Sequence, residues 1–174
     1  MPKGMQPIFT RNLSGSNQAV FLNIPQTYTD LKLVVSARAA SGTDTAQGIY
    51  MQFNSDGSAI YSGTTLRNAS NAASAYRSNG SNAFLEFDIN SSNNTANNYA
   101  SVEIYIPNYT SNSFKQVIAE TAKEDNSSNT LTYNILRANL FRSNAPISII
   151  TIGTNISAPN FATHSTATLY GISK

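Results

Sequence analysis

The sequence contains no cysteine and no tryptophan, and only 11% of its 174 residues are charged. Without cysteine there can be no disulfide, no thiol nucleophile and no thiolate metal site. The net charge of +2 is too weak to indicate an electrostatic nucleic-acid interface. The longest apolar runs, such as residues 147–152, are far shorter than a membrane span. These absences predict a protein that binds neither nucleic acid nor membrane.

Candidate catalytic and metal-binding residues are equally scarce. His164 is the only histidine, and one histidine with scattered carboxylates is a poor start for a metal site. We therefore expect His164 to be a structural or surface residue, and chelators to leave the melting temperature unchanged. The Gly-x-Ser-x-Gly elbow of serine hydrolases does not occur in the sequence.

Acidic residues leave two weaker possibilities open. Glu86, Asp88 and Glu103 fall on strands that could be neighbours, and glycoside hydrolysis needs two acids roughly 5–10 Å apart. Their alternation with apolar residues favours instead outward charges that protect a sheet from aggregation. Asp56 and Asp88 with an Asn-rich loop could offer oxygen ligands to calcium, but that loop has no acid of its own. The sequence thus predicts no catalytic residue, cofactor or metal.

Neutral polar residues supply most of the surface instead. The chain has 22 Asn, 23 Ser and 17 Thr, while its 9 Tyr and 8 Phe argue against disorder. Neutral polar loops over such a core are typical of extracellular or particle-surface β proteins. The N-terminus has no apolar h-region and is not expected to be a signal peptide. Release by lysis, as for a phage virion, would fit both features, although a cytosolic protein would fit as well.

Short alternating runs predict an all-β fold. Leu31, Leu33 and Val35 alternate with polar positions, and the same period recurs at 48–54, 83–89 and 100–106. With residues 114–123 and the C-terminal runs this makes eight to ten strands, without a βαβ pattern. We predict an antiparallel two-sheet sandwich with the topology of a jelly roll. An immunoglobulin-like sandwich is the alternative, but the chain is long for it and lacks the Cys–Trp–Cys pattern.

The chain is divided into an N-terminal arm, residues 1–17, and a single β-sandwich domain, residues 18–174. Glycine, proline and serine limit regular structure in the arm. Two interpretations remain open for it, a first edge strand or an arm that docks on a neighbouring subunit. In the second case Ile8, Phe9 and Arg11 are the candidate contacts with the capsid or another subunit.

Two polar stretches, residues 68–82 and 90–98, are predicted to be surface loops. Seven tyrosines are expected at strand ends or on the less apolar faces, and tyrosine is favoured at interfaces because it covers much area with little entropy loss. These are Tyr28, Tyr50, Tyr61, Tyr76, Tyr99, Tyr105 and Tyr109. Tyr76, Asn94 and Tyr99 are the candidate contacts with a glycan or another partner.

Four segments carry a resemblance to a family of tailed-phage virion proteins. They are NIPQTYTDLKLVVSARA at 23–39, YMQFNSDGSAIYSGTTLR at 50–67, EIYIPNYTSNSFKQV at 103–117 and STATLYGISK at 165–174. Each is a short strand-turn pattern, and together they span most of the chain in family order. The resemblance implies a β-sandwich module of a tail fibre or a capsid surface, without catalysis.

A lone module with a short arm resembles a head decoration (cement) protein more than a tail fibre. The resemblance then implies a homotrimer that binds the major capsid protein across capsomer junctions on the virion surface. The alternative is a tail-fibre or receptor-binding module that grips a host surface glycan. A third class, a glycan hydrolase, would need a specific acid pair that the sequence does not single out.

Overall fold

The structure, a computed structural model, describes residues 4–42, 46–69, 72–125, 133–155 and 160–173, except the side chains of residues 46, 85 and 86. Within these ranges all regular structure is β-strand. The strands are β1 (Gly4–Asn12), β2 (Gln18–Phe21), β3 (Asp30–Ala37), β4 (Ala46–Phe53), β5 (Tyr61–Ala69), β6 (Ala72–Ser81), β7 (Phe84–Asn90), β8 (Ala100–Ile106), β9 (Lys115–Lys123), β10 (Tyr133–Phe141), β11 (Ile150–Thr154) and β12 (Thr166–Ser173). The all-β prediction is confirmed.

The strands form two antiparallel sheets. The first has eight strands in the order β1-β12-β3-β8-β9-β10-β5-β6, and the second has the order β2-β11-β4-β7. If β5, β6, β9 and β10 are set aside, the other eight strands, renumbered in chain order, run 1-8-3-6 and 2-7-4-5. This is the order of a jelly roll, in which two Greek keys fold over one another. The four remaining strands form two hairpins that extend the first sheet beyond β8, and we call them the extension.

The core lies between the sheets, where the predicted alternation holds. Leu31, Leu33 and Val35 of β3 are fully buried, and β3 lies between β12 and β8 inside the sheet. The inward positions of the other predicted strands are buried as well, at Ile49, Met51, Phe53, Phe87, Ile89, Val102, Ile104 and Ile106. Leu85, predicted to face inward, lies outside the described side chains. The period-2 pattern therefore identified β3, β4, β7 and β8 and their inward faces correctly.

Residues 4–12 are an edge strand of the sandwich rather than a separate arm. β1 pairs antiparallel with β12 along its length, from Gly4 opposite Ser173 to Asn12 opposite Thr166. Leu13 follows in the same segment, is fully buried in the core, and donates its backbone N–H to the carbonyl of Ser165 at 2.8 Å. Of the two interpretations of residues 1–17, the edge strand is confirmed for the described part.

Residues 68–82, predicted to be a loop, belong mostly to a β-hairpin. β5 and β6 pair from Tyr61 opposite Ser81 to Ala69 opposite Ala72. The prediction failed because the segment has few large apolar residues. β6 pairs with β5, and β5 in turn aligns with β10 over nine residue pairs.

Candidate functional site

The extension has a mixed polarity that the rest of the sandwich lacks, because polar residues lie beside Val117, Ala119, Ile135 and Phe141 on its inward face and large apolar residues lie on its outward face. On β9 and β10 the inward side chains include Lys115, Arg137 and Asn139, each no more than 1% exposed. The outward side chains include Ile118 and Leu136, which are 50% and 45% exposed. Water-soluble sheets normally place apolar residues inside and polar residues outside. The exposed apolar side chains make the outward face of the extension the candidate interaction surface.

Hydrogen bonds and ring contacts hold the inward cations. The Lys115 ammonium donates to the carbonyls of Ser111, Ser113 and Ala145 at 2.7, 2.6 and 3.0 Å, with Ser143 at 3.4 Å. Burial lowers the pKa of Lys115. The Arg137 guanidinium carbon lies 5.7 Å from the centre of the Phe87 ring, an attractive cation–π geometry. The inward polar residues are thus part of the packed structure.

Large apolar side chains meet on the outward face of the extension, where we define the apolar patch as Ile118, Leu136, Ala138, Leu140, Leu66 and Ala75. The strand register places these residues next to one another across four strands. Leu136 of β10 is directly opposite Leu66 of β5, which is 56% exposed, and Leu66 is in turn opposite Ala75 of β6. Ala138 is opposite Ile118 of β9. A shallow groove of about 540 Å³ runs over Leu66, Leu136 and Ala75.

Charged residues flank the apolar patch with opposite sign on its two sides. On the β8 side, Glu103 lies directly opposite Glu120 of β9. Lys32 of β3 pairs with Glu103 at 2.6 Å. On the β6 side, Arg77 is exposed and lies opposite Thr64 of β5. Within the described residues neither Glu120 nor Arg77 has an ion-pair partner. Unpaired charges beside an apolar patch are typical of the rim of a protein interface.

A second feature, which we call the polar cleft, lies at the end of the extension next to the patch. It has a volume of about 400 Å³ and is lined by Asn68, Asn98, Tyr99, Ser101, Ala122, Lys123, Glu124, Tyr133 and Asn134. The Tyr99 hydroxyl donates to the Thr163 carbonyl at 2.6 Å, so its ring is fixed at the edge of the cleft. The Lys123 ammonium lies 4.8 Å from the centre of the Tyr133 ring. Amide and tyrosine groups of this kind suit hydroxyl-rich ligands.

The Asn-rich loop beside the cleft is ordered by one buried arginine. The guanidinium of Arg38 donates to the carbonyls of Ser92, Asn94, Thr95 and Asn98 at 2.7–3.1 Å. Arg38 is 8% exposed. Sequence reasoning missed this role, because Arg38 stands more than fifty residues before the loop. The sequence feature that could have indicated this role is a single arginine directly after β3, whose alternate residues face the core.

Asn94, a predicted partner contact, belongs to the same internal network. Its side chain is 5% exposed. Its amide oxygen accepts from the Ser91 N–H at 2.7 Å, and its amide nitrogen donates to the Asp125 carboxylate at 2.9 Å. The structure therefore gives Asn94 a role in holding the loop, and its side chain is not on the surface.

The other two predicted partner contacts are separated. Tyr99 borders the polar cleft. Tyr76 lies on β6 opposite Thr65, whose side chain is fully buried, so Tyr76 points to the inward side of the sheet. Its ring lies 5.8 Å from the Arg67 guanidinium carbon. Of the seven tyrosines expected on the less apolar faces, Tyr61 and Tyr109 are fully buried.

The predicted subunit contacts at the N-terminus, Ile8, Phe9 and Arg11, pack within the chain itself. Ile8 and Phe9 of β1 are half-buried and pack against the core. The Arg11 guanidinium carbon lies 5.6 Å from the Phe9 ring centre and 5.9 Å from that of Phe21. All three side chains therefore have packing partners within the chain. Their contact with another subunit stays a prediction.

The acidic residues considered for catalysis lie on strands of different sheets, and the side chain of Glu86 is outside the described ones. Asp88 lies on β7 in the second sheet, whereas Glu103 lies on β8 in the first, so their strands are not neighbours. The Asp56 carboxylate accepts from the Ser58 N–H at 2.9 Å within its own turn. His164 is exposed, in a turn with φ of 70°.

Over the described residues, no group of three or more His, Cys, Asp or Glu is placed to hold a metal ion. The same part of the chain has no helix with the length and apolarity required to cross a membrane.

Comparisons with known proteins show no family. No protein-family description matches the sequence, and no curated protein does. Among solved structures, the chain is similar to a fructofuranosidase variant from Schwanniomyces occidentalis complexed with fructosylnystose, with a TM-score of 0.32 and 7% identity. The match covers the whole chain but 35% of that protein. A similarity at this level carries no argument about function.

Proposed function

We propose that this chain is a structural protein of a tailed-phage particle, a capsid decoration (cement) protein that binds the major capsid protein and oligomerises on the shell. The observation that carries the proposal is the group of exposed apolar side chains on the outward face of the extension. A face with Leu66, Leu136 and Ile118 about half exposed is stable when another protein surface covers it. The jelly roll, which recurs among viral capsid proteins, and the four family-like segments support the same proposal.

The mechanism of such a protein is mechanical. Burial of apolar area stabilises an assembly by roughly 25 cal/mol per Å², and no bond is made or broken. Many copies acting in parallel would oppose the internal pressure of packaged DNA. The chain's low charge suits this role, because few ionised groups would be desolvated when the contact forms.

Copy number in purified particles is the decisive measurement. Quantitative mass spectrometry against the major shell protein should give a ratio comparable to that of the shell protein itself. A few copies per particle would place the chain on the tail instead. Absence from particles would exclude a virion role of either kind.

The alternative function is a receptor-binding module at the tail, and the polar cleft is the observation that favours it. Because Tyr99 is fixed by Thr163 and the neighbouring loop by Arg38, the cleft is formed before any ligand binds. Preformed clefts with a few placed polar groups are the usual form of small-ligand sites.

A glycan array tests this alternative. Binding that is lost in Tyr99→Ala but kept in Tyr50→Ala, a half-buried tyrosine of the other sheet, would support it. If no glycan on the array is bound, the cement function is favoured.

A further inference from the structure

We propose that the apolar patch is covered by a second copy of this chain, related by a two-fold axis that runs parallel to the strands midway between β10 and β5. This inference rests on the proposed function, because it names the partner of the same surface. A face that meets itself requires a two-fold axis. The pairing is therefore distinct from the three-fold contact that the family resemblance implies.

The register of the extension makes the face complementary to itself about this axis. The rotation places β10 over β5 of the second copy, and β9 over its β6. Leu136 then meets Leu66 of the second copy, since the two are directly opposite within one copy. By the same argument Asn134 meets Asn68. The same rotation places Ala138 over Thr64 and Leu140 over Ser62, so the apolar contact is centred on two Leu136–Leu66 pairs, with amide against amide beside it.

The flanking charges complete this match. Ile118 and Glu120 lie at adjacent outward positions of β9, and Arg77 lies on β6 in the row of Ile118. The rotation brings Arg77 of the second copy over Ile118, about 7 Å along the strand from Glu120. An arginine side chain spans that distance. Glu120 and Arg77, which have no ion-pair partner among the described residues of one copy, would therefore pair twice across the dimer.

The other face-to-face arrangement is disfavoured by the same residues. A two-fold axis perpendicular to the strands, along the row of Leu136 and Leu66, would place β8 over β8 and β9 over β9. The Glu103 and Glu120 carboxylates of both copies would then be crowded together, with Lys32 as their neighbour. Opposed like charges at an interface are strongly unfavourable. Charge therefore selects the first arrangement.

The face is large enough to support a dimer. Four strands spaced ~4.8 Å apart, with four rows of outward residues ~6.8 Å apart, cover roughly 500 Å². Two such faces bury about 1,000 Å², which is in the range of weak, transient interfaces, so we expect a reversible dimer.

Sedimentation equilibrium of the full chain tests the pairing. We expect a reversible dimer, and we expect Leu136→Glu to weaken it about 100-fold or more, because a buried carboxylate without a partner is strongly destabilising at an interface. Leu22→Glu is the matched control, since Leu22 is 50% exposed but lies after β2 at the other sheet. A dimer in Leu22→Glu and a monomer in Leu136→Glu, with unchanged melting temperatures, is the expected pair of results.

A charge exchange tests the orientation. Glu120→Arg and Arg77→Glu should each weaken the dimer several-fold, and the double variant should restore it. A monomeric wild-type chain at about 100 μM, a dimer indifferent to Leu136→Glu, or a double variant without rescue would overturn the pairing. These outcomes are independent of copy number in particles: a monomer that is abundant on the shell contradicts only the pairing, and a dimer absent from particles contradicts only the proposed function.

Discussion

At the scale of single residues, a few buried polar groups hold the polar loop at 90–98 in place. The loop at 90–98 contains five asparagines and no large apolar residue. Its order depends on Arg38, whose guanidinium accounts for four of its carbonyls, and on Asp125, whose carboxylate accepts from the Thr95 N–H at 2.7 Å. Both residues lie outside the loop in sequence, so a local pattern could not reveal them.

Arg38→Ala should lower the free energy of unfolding by about 3 kcal/mol, because it removes charge-assisted hydrogen bonds and leaves buried carbonyls without donors. Arg38→Lys should recover little of this loss, since an ammonium cannot spread its donors as a guanidinium does. Urea denaturation measures both effects. Arg142→Ala is the control, as Arg142 also donates to backbone carbonyls but is exposed, and it should cost under about 1 kcal/mol. Equal losses for Arg38→Ala and Arg142→Ala would contradict the role assigned to Arg38.

Tyr61 makes stability depend on pH in the alkaline range. Its hydroxyl accepts from the Phe53 N–H at 3.0 Å and donates to the Asp56 carbonyl at 2.9 Å. Burial raises the pKa of Tyr61 to about 12. Above the ordinary tyrosine pKa of about 10 the unfolded chain releases this proton while the folded chain keeps it, so folding stability falls as pH rises.

We expect the contribution of Tyr61 to fall by up to about 1.4 kcal/mol per pH unit between pH 10 and 12. Tyr61→Phe, although less stable at pH 8, should show a shallower decline over that range. Denaturant unfolding at pH 9, 10 and 11 measures the difference between the two proteins. Parallel curves would mean that Tyr61 ionises equally in the folded and unfolded chains.

At the scale of elements, the sequence predicted most of the strands, and the rule that apolar residues face the core gave the inward side of the jelly-roll strands but not that of the extension. β3, β4 and β8 follow the rule with Leu33, Met51 and Ile104 inside. The extension does not, since Arg137 and Asn139 are inside and Leu136 is outside. The strand at 114–123 was predicted, but its interior side could not be, because hydrophobicity alone assigns Ile118 to the core. The candidate functional site lies on these strands, whose inward side the sequence did not predict.

The N-terminal strand offers a test of its status as an element. Leu13→Ala should lower the free energy of unfolding by about 3 kcal/mol, because Leu13 is fully buried and its removal leaves a cavity. Met5→Ala, in the same segment but 52% exposed, should change it by less than about 0.5 kcal/mol. Denaturant titration of both variants distinguishes an integral strand from a detachable arm. An arm would give two small and similar values.

At the scale of the whole molecule, the jelly roll brings the two ends of the chain together. Gly4 and Ser173 are paired residues of adjacent strands. β1 and β12 therefore form a pairing that is local in space but separated by nearly the whole sequence. Closing such a loop costs chain entropy before the contact can form, and this slows folding.

A circular permutant should relieve that cost. Joining residue 174 to residue 1 through a few Gly and Ser, and opening the chain between Ser14 and Gly15, would turn β12 and β1 into a hairpin with a short connection. We expect the same fold, because no strand is interrupted, with faster folding and a less affected unfolding rate. Stopped-flow measurement across urea concentrations gives both rates. A second permutant with a linker of about 20 residues should lose part of the gain, since loop-closure entropy grows with length. If both permutants fold as slowly as the natural chain, closure of β1 onto β12 occurs after the rate-limiting step.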